Sequence, residues 1–356
     1  MAQEFIEIAG KIEADIKNGT YTDTLPSIAV LSQIFNVCPA TVKRILSVLR
    51  DKDLVSGEHG RCVRVNPKAA GNPYFHKNIV FLTDLFNIST PFYSNTVDLL
   101  TKRLFEQYIS VHIFVSVNQV HECTFEPDCV IVVNNSGQVM LDMILQKFPD
   151  CKVIKLNQHS NRFPYIMTDG YSAGYKAVRH LAEDCGHTHI GMLATQLQYP
   201  QASFSMRYLG AMGYVKSHPE IKFSMVEVPE LELESQTPYR LMGKLFEKDP
   251  EITAVFAACD VMAMGVYGYA AENNLRIPDD IAVIGIDNQG FGKSIFPPLT
   301  TISENAEDTA EKLYFNIRSL LMGKEIAKES LTAPYLIVKG STMKNSQKIT
   351  RPEGGF

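Results

Sequence analysis

Thr253-Ala254-Val255-Phe256-Ala257-Ala258-Cys259-Asp260 opens the stretch that decides the fold, and Ile281-Ala282-Val283-Ile284-Gly285-Ile286-Asp287 closes it. Each is a short β-prone run that ends in an acidic residue. Between them, Asp260–Asn273 reads as a helix. A strand, a helix and a second strand form the unit of a parallel sheet. The same alternation extends upstream, with strands at Asn78–Thr83, Ser110–Val115, Cys129–Val133, Lys152–Leu156, His189–Leu193 and Phe223–Val228. Helical patterns lie between most of them, at Asn95–Gln107, Tyr171–Cys185 and Arg207–Ser217. Residues 78–345 are many for one such sheet, and two α/β lobes with a cleft between them fit better.

In open α/β sheets, ligands bind beyond the carboxyl ends of the strands. Four groups collect there: Phe92 and Tyr93 after the first strand, Asn157 after the fourth, Asp260 after the seventh and Asp287 after the eighth. Asp paired with Arg presents forked donors and acceptors that match the adjacent hydroxyls of a polyhydroxylated ligand. Aromatic faces suit a sugar ring or a nucleobase. Asp after a strand is also a common helix cap, so each position has a purely structural alternative.

The first 66 residues have a different pattern. Phe5, Ile8, Ile12 and Ile16 make one apolar helical stripe, which Asn18-Gly19 ends. Ser27 is placed to cap a second, short helix carrying Ile28, Leu31 and Phe35. Pro39 suits the first position of a third helix, with Val42, Ile45, Leu46 and Leu49 on its buried face. Thr41, Lys43, Arg44, Ser47 and Arg50 lie on the other face. Two β-prone stretches, Asp53–Val55 and Arg61–Val65, flank a turn at Glu58-His59-Gly60. Three helices followed by a hairpin make a winged helix-turn-helix. Its third helix fits the DNA major groove, and a hairpin tip of His59, Gly60 and Arg61 is expected to touch the neighbouring backbone or minor groove.

Bulk properties narrow the function. No apolar run approaches the roughly 18 to 20 residues of a membrane span. The opening Met1-Ala2-Gln3-Glu4 lacks a signal-peptide pattern, so a cytoplasmic protein is expected. The net charge is −5, yet residues 1–76 carry nine Lys/Arg against eight Asp/Glu, which permits a DNA-binding end. The seven cysteines are scattered without a Cys-x-x-Cys pair, as expected of small buried side chains in a reducing compartment. His187 and His189 flank Thr188 without further ligands, so no metal is expected. No phosphate-cradling Gly-x-x-x-x-Gly-Lys and no dinucleotide fingerprint is present, so neither a cofactor nor an enzyme is expected.

The head resembles the GntR family. The resemblance rests on Leu25-Pro26-Ser27, Leu31-Ser32-Gln33-Ile34-Phe35-Asn36-Val37, Thr41-Val42-Lys43-Arg44-Ile45-Leu46, Leu54-Val55 and Gly60. It implies DNA contacts from Ser27, Thr41, Lys43 and Gly60. Ile28-Ala29 stands where the family often has Glu-Arg, and Val37-Cys38-Pro39 where it often has Val-Ser-Arg. Two expected contacts are thus absent.

Residues 78–342 resemble the effector domain of the LacI/GalR family, which shares the periplasmic-binding-protein fold. The carrying motifs are Pro91-Phe92-Tyr93, Asp169-Gly170-Tyr171-Ser172-Ala173-Gly174, Gly186-His187-Thr188-His189-Ile190-Gly191, Arg207-Tyr208-Leu209-Gly210, Asp260-Val261-Met262-Ala263-Met264-Gly265, Ile277 through Asp287, and Pro297-Pro298-Leu299-Thr300-Thr301-Ile302. The resemblance implies a ligand gripped by Phe92 and Tyr93 from the first lobe and by Asp169, Arg207, Asp260 and Asp287 from the second. Ser203 and Glu304 match further positions that line the cleft. Cys259 replaces the Asn or Ser that sugar-binding members often carry before the Asp.

The expected fold is therefore α/β: an N-terminal winged helix-turn-helix at 1–66, a flexible linker at 67–77, and a two-lobed periplasmic-binding-protein-like effector domain at 78–345. Lobe 1 is expected to take 78–168 plus 298–328, and lobe 2 to take 169–297 plus 329–345, with a tail at 346–356. The expected function is a DNA-binding repressor, working as a homodimer on a double-stranded operator and released by a small molecule such as a sugar. The alternative is a ligand-binding protein whose head mediates protein contacts. Ile28-Ala29 and the weak charge of the head favour it.

Overall fold

The computed structural model describes residues 2–57, 62–229, 232 and 236–343. The head comprises α1 (Ala2–Lys17), α2 (Ile28–Ile34), α3 (Pro39–Asp51) and a hairpin of β1 (Val55–Ser56) and β2 (Arg64–Val65). Val55 pairs with Val65 and Ser56 with Arg64, antiparallel. The expected apolar stripe is its core: Ile8, Ile12 and Ile16 of α1 meet Leu31, Val42, Ile45 and Leu49. Ser27 caps α2 by accepting the Val30 N–H, and Pro39 opens α3. His59, Gly60 and Arg61 lie outside the described residues.

The segment expected to be a flexible linker is built into both neighbouring units. Ala69 and Phe75 belong to the head core, whereas Tyr74 belongs to the core of the first lobe. The Asn and Gly residues that suggested flexibility form turns. Asn66 Oδ1 accepts the Lys68 N–H and Asn72 Oδ1 accepts the Tyr74 N–H. Gly71, at φ 68°, donates its N–H to the Ile16 carbonyl at the end of α1. Composition marked the boundary but not its stiffness.

Lobe 1 begins with β3 (Asn78–Leu82), α4 (Leu85–Ser89), α5 (Pro91–Phe105), β4 (Ser110–Phe114), α6 (Val117–Glu122), β5 (Cys129–Val133), α7 (Gln138–Lys147), β6 (Lys152–Leu156) and β7 (Tyr165–Thr168). Lobe 2 follows with α8 (Gly170–Arg179), β8 (His189–Ala194), α9 (Ser203–Lys216), β9 (Lys222–Glu227), α10 (Thr237–Lys248), β10 (Ala254–Ala257), α11 (Asp260–Glu272), β11 (Ala282–Ile286) and β12 (Thr300–Ser303). The chain then makes α12 (Ala306–Leu321), β13 (Glu329–Thr332) and β14 (Tyr335–Ile337).

Two six-stranded sheets result, ordered β13-β7-β6-β5-β3-β4 and β14-β12-β11-β10-β8-β9. All pairs are parallel except β12 with β14. The central strands are apolar because helices cover both faces, as at β5, where every residue is buried. Sheet membership corrects the expected lobe boundaries. Residues 300–303 pair with β11 and so lie in lobe 2, whereas residues 329–332 pair with β7 and so lie in lobe 1. The chain passes between lobes after β7, after β12 and after β13.

Candidate ligand cleft and nucleic-acid interface

The cleft opens beyond the carboxyl ends of β5 and β6 in lobe 1 and of β8 in lobe 2, beside the points where strand order reverses. Its volume is about 780 Å³, the size expected for a small-molecule site. Lobe 1 contributes Asn134, Asn135, Ser136, Asn157, Gln158, His159 and Met167, and lobe 2 contributes Gln196, Tyr199, Gln201, Ser203 and Phe204 among others. Of the nine residues expected to hold ligand, Asn157 and Ser203 line this space.

Backbone geometry marks the same strand ends. Asn134, Asn157, Gln196 and Asp287 each follow a strand with positive φ, at 48°, 54°, 55° and 110°. Such conformations strain a non-glycine residue and gather at functional sites.

Behind the lobe 1 lining runs a chain of side-chain hydrogen bonds. Asp84 Oδ2 accepts from Asn87, whose Oδ1 accepts from Asn134. The Tyr93 hydroxyl donates to Asn134 Oδ1 at 3.1 Å and accepts from Asn157 Nδ2 at 3.2 Å. Asn157 Nδ2 also donates to Glu304 Oε1 at 2.9 Å, and the Thr168 hydroxyl donates to the same oxygen at 3.0 Å. Tyr93 and Glu304 thus join one network, although neither lines the cleft. Burial, and then the Glu304 charge, push the Tyr93 hydroxyl well above the ordinary tyrosine range. Phe92 is buried against Tyr93 in the lobe 1 core, with ring centroids 4.9 Å apart, and does not line the cleft.

The lobe 2 side carries the ion pair. Arg207 Nη2 lies 2.9 Å from Asp287 Oδ1, and Nη1 donates to the Ala258 carbonyl at 2.6 Å. The guanidinium sits 4.8 Å from the centroid of Phe204, which lines the cleft. Burial opposes the Arg207 charge, but Asp287 and Glu304 outweigh it and hold the guanidinium protonated. Burial and the nearby Asp287 charge raise Glu304 to about 7.

Asp260 and Asp169 have other partners. Asp260 is fully buried, with Oδ1 accepting from the Thr301 hydroxyl and Oδ2 from the Gln289 N–H. Burial raises its carboxyl to about 7. At the start of α11 its side chain turns back onto β12, so it ties lobe 2 together instead of lining the cleft. Asp169 caps α8 by accepting the Ser172 N–H, and its own N–H donates to the Thr332 carbonyl where the chain crosses between lobes.

Gly170-Tyr171-Ser172-Ala173-Gly174 has the Gly-x-Ser-x-Gly spacing of a nucleophile elbow. Packing accounts for its glycines: a Cβ at Gly174 would fall 1.8 Å from the Arg207 carbonyl oxygen, and one at Gly170 2.8 Å from that of Ser203. Among the described residues no histidine is bonded to Ser172.

In the head, Lys43 and Arg44 are exposed on α3 and form no ion pair among the described residues, while Thr41 is half-buried. Glu13, by contrast, is bound by both Lys17 and Lys52. Ser27 is exposed, with its hydroxyl already accepting from the backbone of α2.

Comparison with known proteins bears on the lobes. Residues 178–342 match the model of the periplasmic binding protein-like domain. The HTH-type transcriptional repressor PurR of Pasteurella multocida is 26% identical over 299 residues, covering 78% of this chain and 84% of that one. The two lobes have the fold of a LacI-type, periplasmic-binding-protein-like domain. PurR of Mannheimia succiniciproducens is 30% identical over 182 residues, 50% of this chain and 53% of its own. The chain spans about half the length of that relative. A LacI family regulator from Enterococcus faecium with bound ribose superposes with a TM-score of 0.58 at 21% identity, over 75% of this chain and 98% of that one. Among the described residues no helix is long and apolar enough to cross a membrane.

Asn134, Asn135, Gln158, Gln196 and Tyr199 line the cleft without having been expected there. All five lie beyond the carboxyl ends of β5, β6 and β8. The strand-end rule reaches them, but the four amides look like turn residues after a strand, and Tyr199 lies further along the loop after β8.

Proposed function

We propose that this chain is a ligand-responsive transcription regulator, a repressor released from its operator by a small polyhydroxylated molecule such as a sugar. The observation that carries this reading is the joining of two surfaces in one chain: exposed cations on α3 of a three-helix head, and an amide-lined cleft between two lobes. The names of the relatives support it, since they are PurR repressors and a LacI family regulator with bound ribose. A GntR-like head before a LacI-like effector domain is also the domain order of the arabinose repressor, which this chain resembles.

In this reading two heads, held by a dimer of effector domains in the cytoplasm, read a pseudo-palindromic site. Lys43, Arg44 and Thr41 meet phosphates and base edges, with Ser27, His59, Gly60 and Arg61 as the further contacts expected from the sequence. A sugar in the cleft bonds Asn157, Ser203 and the neighbouring amides. Arg207, Asp287, Tyr93 and Glu304 stand one layer behind and engage as the lobes adjust. Ligand shifts DNA affinity only as far as it prefers one lobe arrangement over another.

The test has two arms. Fluorescence anisotropy with DNA from upstream of the chain's own gene is expected to show binding that weakens steeply with salt. A thermal-shift screen against pentoses, hexoses, sugar phosphates and nucleobases is expected to raise the melting temperature for at least one sugar. Absence of DNA binding at moderate salt, with or without the sugars, overturns the regulator. Salt-insensitive capture of a protein by the head favours the alternative, in which the exposed Val30 and Ile34 of α2 make that contact.

A further inference from the structure

We infer that α12 is the mechanical link between the cleft and the head, with Tyr74 and Arg318 as the positioning residues at its far end. This inference rests on the regulator reading above and adds the route by which one site acts on the other.

The near end of α12 is fixed to the cleft. Asn305 caps the helix by accepting the Asp308 N–H, and the preceding residue is Glu304. The Glu304 carboxylate holds Asn157 and Thr168 of lobe 1, and its charge lies within reach of Arg207 and Asp287 of lobe 2. Any ligand that changes how the lobes approach loads this point.

The helix itself is a rod. Its 16 residues include neither Gly nor Pro, and at 1.5 Å per residue they span about 24 Å. Ala310, Leu313, Tyr314 and Ile317 are buried along one face in the lobe 1 core. A helix packed in this way shifts as a unit, because a close-packed interior resists local compression.

The far end grips the linker. The Arg318 guanidinium lies 4.9 Å from the centroid of the Tyr74 ring, and Nη1 donates to the Tyr314 hydroxyl at 3.3 Å. Tyr74 is 8% exposed and belongs to the lobe 1 core, while Phe75 is 2% exposed and belongs to the head core. One peptide bond therefore joins the two cores. With Gly71 tied to the end of α1, a displacement of Tyr74 reaches the head without passing through slack chain.

Hydrogen–deuterium exchange on the full-length protein tests the link without DNA or ligand. Glu304→Gln is expected to change exchange around residues 157–168 and also in the remote peptides 66–76 and α1, on the order of two- to tenfold. In an Arg318→Met background the same replacement is expected to act at 157–168 only. Tyr74→Leu, which keeps an apolar side chain in the core but removes the ring beneath Arg318, is expected to give the same result by an independent change. A remote effect that persists in both backgrounds, or no remote effect from Glu304→Gln, overturns the link. The DNA-binding assay stands apart, so a chain with intact operator binding but no such coupling sinks this inference alone.

Discussion

Arg207 and Asp287 form a 2.9 Å ion pair within lobe 2, contributed by α9 and by the residue that follows β11. The pair does not cross the cleft. Removing one partner strands a buried charge, which costs about 3 to 5 kcal/mol in a buried pair. Arg207→Met is expected to approach that loss in urea unfolding because it also frees the Ala258 carbonyl. Asp287→Asn added to it is expected to recover part of the stability, and a double variant as unstable as the two losses summed would show the residues to be uncoupled.

Glu304 and Asp260 share the pH dependence, since both carboxyls are raised to about 7, and Glu304 is the one open to a clean replacement. Its carboxyl is raised from an ordinary 4.5 to about 7, so the folded protein binds more protons than the unfolded chain between those values. Stability therefore falls as pH rises through that window. Glu304→Gln retains an oxygen to accept from Asn157 and Thr168 but removes the charge. Its melting temperature is expected to exceed that of the wild type at pH 8 and to converge with it near pH 4.5. Parallel melting curves across that range would refute the assignment.

Lys43 and Arg44 are exposed and form no ion pair among the described residues, so the double change to Ala is expected to leave the melting temperature unaltered. Operator affinity is expected to collapse, and the slope of log affinity against log salt to fall by about 0.9 for each phosphate that is no longer neutralised. Anisotropy over a salt series reads both. An unchanged slope removes these residues from the DNA interface.

Gly174 and Gly210 let α8 and α9 touch along their backbones: a Cβ at Gly210 would fall 1.9 Å from the Tyr171 carbonyl oxygen. Gly174→Ala is expected to force the helices apart at a cost of about 1 to 3 kcal/mol. Because the obstructing atoms belong to Arg207, sugar affinity is expected to fall with stability. A variant with lower stability but full affinity would separate the helix packing from the cleft.

The sequence carried the central strands well, because both faces of each are buried and the whole run is apolar; 129–133 and 152–156 are strands with the bounds their patterns suggest. It did not carry β13 or β14, which are short edge strands with mixed polarity, such as Glu329-Ser330-Leu331-Thr332. The boundary at 329 shifted for that reason, whereas the one at 298 shifted because residues 300–303 form an interior strand paired with β11. In the candidate site, Asn157 and Ser203 line the cleft where their positions placed them, whereas Tyr93 and Glu304 share one hydrogen-bond network and Arg207 and Asp287 form a separate ion pair. Asp260 was not separable from a ligand contact, because its partners Thr301 and Gln289 lie far along the chain. The stiffness of 67–77 was hidden too, since an Asn-Gly-Pro segment reads alike whether its turns stand free or anchor an aromatic residue.

The late exchange of strands sets a schedule for synthesis. The β7 edge of lobe 1 receives its last strand from residues 329–332, and the β12 edge of lobe 2 receives its own from 335–337. A ribosome-bound chain that has emerged through residue 321 presents two sheets with bare backbone edges, open to strand pairing with another chain. Both close within the same few residues of translation. Nascent chains halted before 329 are therefore expected to aggregate or recruit chaperones, and chains halted with 338 clear of the tunnel to resist protease.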